Sequence, residues 1–158
     1  MRRRRWALGL VLAAALAAGA YAVAVQQRSA DAAAQRERGA ALFDGRAPLA
    51  GRLVGHETAL PALATRCANC HDEASATPAS EAAASAAAKP FATALTGAQL
   101  AQARLRRGGP PSAYDAARLC AVLRSGTDPA HVMISTTMPR YDVTDLQCRD
   151  LWAFLGAR

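Results

Sequence analysis

The stretch that decides the fold is residues 67–71, Cys67-Ala68-Asn69-Cys70-His71. Two cysteines separated by two residues and followed at once by a histidine form the attachment signature of c-type haem. Two thiols at this spacing reach the two vinyl groups of a porphyrin, and the adjacent imidazole turns beneath the iron. A thioredoxin-like dithiol would need an α/β pattern and a zinc site a second pair of ligands, and neither is visible. The motif predicts one covalent haem on Cys67 and Cys70, with His71 as an axial ligand.

The first 28 residues predict delivery across a membrane. Four arginines, residues 2–5, precede residues 6–25, a run of twenty residues without a charge. The length of this run lies between that of a signal peptide and that of a spanning helix, so cleavage and retention as a membrane anchor both stay open. Positive residues remain on the cytoplasmic side, and the chain after about Gln26 crosses. We therefore predict an N-terminal hydrophobic helix in residues 1–28, as signal peptide or anchor, and a periplasmic domain in residues 29–158.

The net charge of +7 comes mainly from this leader. The leader holds four of the 19 basic residues before Gln26 and none of the 12 acidic ones, so the exported part has a net charge of +3. Nucleic acid is not an expected partner, because no basic stripe with interleaved aromatic residues is present. The remaining charge favours docking with redox partner proteins, and about 130 residues are enough for one domain.

Apolar periodicity predicts an all-α fold, with about four to five helices around the haem. The predicted helices cover residues 35–43, 96–107, 112–125 and 144–155. Thr96 and Thr144 each begin a capping box with a glutamine three residues later, and Ser112 is expected to cap the third helix. The apolar stripes of the last two helices contain Cys120 and Cys148, one cysteine each. No segment shows the alternation of a strand.

Two segments outside these helices have a distinct composition. Residues 45–58 contain three glycines and a proline without a sustained period, which predicts an extended loop leading to the cysteine motif. Residues 74–89 are rich in alanine, and we interpret them as a low-complexity surface insertion that carries no chemistry.

The second axial position has four candidates. Met138 is favoured because Pro139 follows it and holds the loop in a stiff, extended conformation. Met133 is interpreted as a packing residue, and His56 and His131 as solvated or hydrogen-bonding residues. A thioether ligand raises the haem potential and leaves no open site on iron, which favours electron transfer over chemistry at the metal.

Cys120 and Cys148 lie in an exported chain, where disulfides persist. If paired, they close a loop of 29 residues that contains Met138. We expect this bond to clamp the two helices that flank the ligand loop. Two buried, unpaired thiols are the alternative.

Together these features resemble the class I, single-haem cytochrome c family, and in particular small proteobacterial members with an additional cysteine pair. The resemblance covers about residues 36–155 and is carried by residues 38–43, 67–71, 138–141 and 151–155. It implies that the first and last helices cross beside the haem. Gly39 would allow their close approach, next to Phe43 and either Phe154 or Trp152.

The resemblance also implies a proline carbonyl that orients the histidine ligand, for which Pro90 is a better candidate than Pro78. In function it implies a periplasmic one-electron carrier with haem c and iron, which works with redox partner proteins and is not an enzyme. A haem subunit of a periplasmic dehydrogenase or oxidase complex is one alternative. A haem sensor or peroxidase-like enzyme with a dissociable sixth ligand is another. A basic docking rim is a further hypothesis, with four candidate residues: Arg104, Arg106, Arg107 and Arg140.

Overall fold

The computed structural model describes residues 2–71 and 92–158, with side chains from residue 15 onward. The predicted insertion at 74–89, with Pro78 and Pro90, lies outside the described residues. So do the side chains of residues 1–14, which form much of the predicted leader. The chain divides into two units, residues 1–34 and residues 35–158. In the part whose side chains are described, no helix is both long enough and apolar enough to cross a membrane.

Helix α1 runs from Arg2 to Asp44, so the separate short helix expected at 35–43 is the last part of a longer one. The prediction of a start at residue 35 was wrong, because residues 26–34 contain neither glycine nor proline and are rich in good helix formers. The expected end is confirmed. Gly45 follows the helix with φ of 77°, a left-handed conformation that glycine adopts without strain.

The second unit is a small, mostly helical domain. Its further helices are α2 (Ala68–His71), α3 (Gly97–Ala101), α4 (Ala116–Ser125) and α5 (Asp145–Leu155). Two strands, β1 (Gly51–Arg52) and β2 (Arg140–Tyr141), form an antiparallel pair in which Gly51 lies opposite Tyr141 and Arg52 opposite Arg140. The expectation of no strand was therefore wrong. A strand of two residues is too short to show an alternating pattern in the sequence.

Both predicted capping boxes begin helices. The Gln99 N–H donates to the Thr96 hydroxyl at 3.3 Å before α3. At α5 the box is complete, because the Gln147 N–H donates to the Thr144 hydroxyl at 3.2 Å and the Thr144 N–H donates to the Gln147 side chain at 2.9 Å. These contacts satisfy backbone donors that a helix start leaves unpaired.

Helix α3 ends at Ala101, six residues before the predicted end. The chain folds back after it, and the backbones of Arg104 and Ser112 pair through two hydrogen bonds of 3.1 and 2.9 Å. Arg106 donates from this loop to the carbonyl of Gln99 at 2.7 Å. The arginine thus satisfies helix-end carbonyls, as cations near a C-terminus do, but from outside the helix.

Helix α4 begins at Ala116, so the predicted cap at Ser112 was wrong. Asp115 is the cap, and its carboxylate accepts the Arg118 N–H at 2.7 Å. Ser112 is committed to the backbone pairing with Arg104, which leaves it three residues before the cap Asp115. The predicted end at Ser125 is confirmed, with Gly126 in the left-handed conformation.

Cys120 of α4 and Cys148 of α5 form a disulfide with a Cα separation of 5.3 Å. The predicted pairing is confirmed, and the alternative of two unpaired thiols was wrong. Both residues are buried in the core that α4 and α5 share. The bond therefore joins the two helices on either side of residues 126–144, the segment that contains Met138.

Helix α1 crosses α5 at Gly39. A Cβ on Gly39 would overlap the backbone carbonyl of Asp150 and lie 2.7 Å from the Cβ of Phe154. The Phe43 and Phe154 rings pack with centroids 5.4 Å apart, so Phe154 rather than Trp152 is the aromatic residue at this crossing. Arg38 donates to both oxygens of the buried Asp150 carboxylate, at 2.9 and 3.2 Å.

Candidate cofactor site

The cysteine motif forms a single helical turn. The N–H groups of Cys70 and His71 both donate to the Cys67 carbonyl, at 3.2 and 3.0 Å. Asn69 anchors the turn by donating its amide to the Leu63 carbonyl at 2.6 Å. Neither Cys67 nor Cys70 is in a disulfide. The turn brings both thiols and the imidazole into one small region of the chain.

The ring of His71 is oriented by the backbone of Thr93, whose carbonyl oxygen lies 2.8 Å from Nδ1. A carbonyl only accepts, so Nδ1 carries the proton and Nε2 keeps a lone pair. Histidines that bind metals are commonly held in this way through the other ring nitrogen. Pro78 and Pro90, the two prolines considered for this role, lie outside the described residues. No sequence signal marks Thr93, because any residue type has a carbonyl to offer.

A cavity of about 380 Å³ lies beside the motif. Cys67, His71 and Met138 line it, together with buried apolar residues of α3, α4 and α5. A neighbouring cavity of about 480 Å³ is lined by the same three residues and by Cys70. The two adjoining cavities therefore bring all four predicted ligand residues together in one part of the domain.

Burial raises the pKa of the Cys67 thiol to about 12. At neutral pH this group is a protonated thiol, whereas the reactive cysteine of a redox dithiol has a lowered pKa. Within the described residues, no group of three or more His, Cys, Asp or Glu side chains is placed to hold a metal ion. The buried, protonated thiol counts against the dithiol interpretation of the motif.

Tyr141 connects the chain before the motif with the chain after Met138. Its buried hydroxyl donates to the Thr65 carbonyl at 3.2 Å, and its ring lines both cavities. Burial raises the pKa of this phenol above its ordinary value, so the hydroxyl remains a donor. The contact holds the motif against strand β2.

Met138 is half-buried and packs against the hydrophobic core. Both of its backbone groups are occupied, because its N–H donates to the Ser135 carbonyl at 3.2 Å and its carbonyl accepts from Arg140 at 2.6 Å. Its side chain lines both cavities. Of the candidates for a second axial ligand, Met138 is the one that shares a cavity with His71.

The other three candidates lie elsewhere. Met133 is 59% exposed, and its sulfur accepts from the Thr127 hydroxyl at 3.5 Å. His56 lines a surface cavity with Met133. His131 is exposed in a turn where its φ is 61°. None of the three lines either cavity beside His71.

The structure narrows the hypothesis of a basic docking rim. The guanidinium of Arg106 is committed to backbone carbonyls near α3, and that of Arg140 to the carbonyls of Met138 and Ile134. Arg104 and Arg107 are exposed, and Arg107 forms an ion pair with the buried Asp128, at 4.0 Å between Nε and the carboxylate oxygen. Arg104 and Arg107 are the two of the four residues that are exposed, and the docking rim itself stays a prediction.

The residues present fit a covalent haem. Two thiols, an imidazole with an available Nε2 and a thioether border the two adjoining cavities, and the walls of the cavity that Cys67 lines with the core helices are largely apolar. A porphyrin is a large apolar body, and burying it would remove these walls from water. Comparison with known proteins gives no assignment, because no protein-family model, curated protein or solved structure matches the chain.

Proposed function

We propose that the protein is a periplasmic one-electron carrier with one covalent haem c, and that it is not an enzyme. The observation that carries this proposal is the pairing of His71 and Met138 at one apolar cavity, with Nδ1 of His71 held by Thr93 and Nε2 available. When bound, the haem supplies reversible exchange of one electron at its iron. Because the sequence has a single attachment motif, the protein would carry one haem and exchange one electron in each encounter with a partner protein.

The protein's own residues attach and orient the group. Cys67 and Cys70 would hold it through two thioether bonds, one to each vinyl group of the porphyrin. His71 would hold iron through Nε2, and the Thr93 carbonyl keeps the ring in the tautomer that this requires. Met138 would hold the iron through its thioether, and such a ligand would raise the potential and exclude small molecules from iron.

The surrounding fold keeps water away and holds the loop in place. Buried apolar side chains of α3, α4 and α5 line the cavity. The Cys120–Cys148 disulfide joins α4 and α5 around the loop with Met138. Such a preformed site costs little reorganisation when the charge of the bound group changes, which is what a protein supplies to a redox cofactor.

Electron exchange with partner proteins takes place where the cavity reaches the surface. Leu105 lines the cavity and is 77% exposed, so the wall is open to solvent beside it. The neighbouring residues Arg104 and Arg107 are exposed as well. An apolar side chain between two cations suits brief contact with an acidic surface of a redox partner.

The test is the optical spectrum of the full chain, produced with haem-maturation machinery. The oxidised protein should show the weak near-infrared band of a thioether bound to ferric iron. Met138→Ala should lose the band, whereas Met133→Ala, a matched change at an exposed methionine, should keep it. A wild-type protein without the band would contradict Met138 ligation.

Two further measurements separate the alternatives. Haem should remain with the wild-type chain after denaturation, and Cys67→Ala and Cys70→Ala should each weaken that attachment. Carbon monoxide should not bind the reduced wild-type protein at neutral pH. Rapid binding would favour a sensor or peroxidase-like protein, and co-purification of a catalytic chain would favour a subunit of a larger complex.

A further inference from the structure

Arg140 lies two residues after Met138 and turns its side chain back toward it. Its Nη1 donates to the Met138 carbonyl at 2.6 Å, and its Nη2 reaches the Ile134 carbonyl at 3.5 Å. The guanidinium thus joins the beginning and the end of the segment 134–138. This segment contains the methionine that lines the cavity beside the cysteine motif.

The guanidinium lies against Gly126. A Cβ at Gly126 would overlap the Cζ and Nε atoms of Arg140, so the missing side chain makes the space that the arginine fills. Gly126 also ends α4 in the left-handed conformation and accepts the Ile134 N–H at 2.8 Å. One glycine therefore ends the helix, holds the start of the segment and seats the arginine.

Arg140 makes no ion pair within the described residues, and its Nε is buried there without a hydrogen-bond partner. A half-buried arginine whose hydrogen bonds within the described residues go to carbonyls is not an ordinary surface charge. Its charge strengthens the hydrogen bond to Met138, because bonds from ionised donors are shorter and stronger than neutral ones.

The arginine is itself anchored. Arg140 begins β2 and lies opposite Arg52 in the antiparallel pair with β1. Next to it, Tyr141 is fixed to the Thr65 carbonyl, two residues before Cys67. A continuous series of contacts therefore runs from the chain before the motif, through β2 and the guanidinium, to the backbone of Met138.

We propose that Arg140 is a positioning residue for the second axial ligand. By holding the Met138 carbonyl it keeps the thioether directed into the cavity and slows its displacement from iron. This inference rests on the proposed function, because it concerns a methionine that binds iron. Arg140 itself does not contact the iron or the porphyrin in this role.

The test compares ferric holoproteins at neutral pH by two readouts, the near-infrared band and the rate of cyanide binding. Cyanide binds only after the methionine leaves, so its rate reports the population of the displaced state. Arg140→Leu removes both donors and adds no ligand for iron. Loss of a charge-assisted hydrogen bond should speed cyanide binding by about tenfold or more and weaken the band.

Arg52→Leu is the matched control. It makes the same substitution at the residue opposite Arg140, where the guanidinium donates to Asp142 at 3.0 Å and does not contact Met138. Its cyanide rate should stay within about twofold of wild type, because exposed ion pairs contribute little. Arg140→Lys keeps the charge and one donor, so its rate should lie between those of wild type and Arg140→Leu.

If Arg140→Leu yields no holoprotein, Arg140→Lys and Gly126→Ala carry the test. Gly126→Ala displaces the guanidinium without changing the arginine, and it should also speed cyanide binding. A wild-type rate in Arg140→Leu, or in both replacement variants, would overturn the inference. Equal acceleration in Arg140→Leu and Arg52→Leu would also overturn it, because the cause would then be a loosened strand pair. A wild-type protein without the near-infrared band would refute Met138 ligation itself, which distinguishes the two failures.

Discussion

Gly39→Ala should destabilise the protein, although alanine is the better helix former. In an exposed helix position, glycine is less favourable than alanine by about 0.8–1.0 kcal/mol. At Gly39 the added methyl would overlap the Asp150 carbonyl and lie 2.7 Å from the Cβ of Phe154. The carbonyl carbon and oxygen of Asp150 belong to the backbone of α5, so no side-chain rotation can relieve the overlap with them.

The expected loss of stability can be estimated from the separation of α1 and α5 that the added methyl group requires. Overpacking of a close contact costs about 1–3 kcal/mol. Separating the helices also weakens the Phe43–Phe154 contact, now 5.4 Å between centroids, and such a pair contributes about 0.5–1.5 kcal/mol. After the helix-propensity gain of about 1 kcal/mol is subtracted, we expect a net loss of about 2 kcal/mol. For a unit of this size that is a fall of roughly 8 °C in melting temperature.

The assay is guanidinium and thermal unfolding of the holoprotein, followed by circular dichroism. The control is a pair of variants at Arg36, an exposed position three residues earlier on α1. Arg36→Ala should be more stable than Arg36→Gly by about 1 kcal/mol, because alanine is the better helix former at an exposed position. If Gly39→Ala is as stable as wild type or more stable, the close crossing of α1 and α5 is refuted.

Three further predictions concern the contacts around the site. Reduction and alkylation of the Cys120–Cys148 bond should lower the free energy of unfolding by roughly 3.6 kcal/mol, and thiol counting under denaturing conditions should find two more thiols after reduction than before. Thr144→Ala should cost about 1 kcal/mol in chemical denaturation, because it removes the cap of α5, and an unchanged midpoint would contradict that role. Because burial raises the pKa of Tyr141, its phenol should stay protonated in the folded protein at about pH 10, where unfolded tyrosine ionises. Stability should therefore be full below about pH 10 and fall above it, and Tyr141→Phe should reduce this fall in unfolding experiments across alkaline pH.

Features that depend on neighbouring residues could be predicted from the sequence. The capping box of Thr144 and Gln147 joins residues three positions apart, and the turn at Gly45 depends on one residue's freedom to adopt positive φ. The spacing within residues 67–71 indicates a haem site for the same reason, since three side chains on one turn share one direction. The Cys120–Cys148 pair was also predicted, because these two cysteines lie outside the motif in a chain that is expected to be exported, where disulfides persist.

The predictions from sequence were wrong where a hydrogen bond made in the folded chain outweighed the local helix preference of a residue. Ser112 has the side chain of a helix cap, but its backbone pairs with Arg104, so Asp115 caps α4 instead. Arg106 was expected inside the last turn of α3 and instead reaches its carbonyls from a folded-back loop. In both cases the local preference was weaker than the hydrogen bonds that the folded chain supplied.

The sequence by itself determined which residues offer the thiols, the imidazole and the thioether of the candidate site, and where the main helices of the second unit lie, because these follow from residue type and short spacings. Only the tertiary structure decided which groups hold those residues in place. The Thr93 carbonyl that orients His71 lies 22 residues away, and the Thr65 carbonyl that accepts from Tyr141 lies 76 residues away. Backbone carbonyls are the same at every position, so their selection depends on how the chain folds and not on residue type.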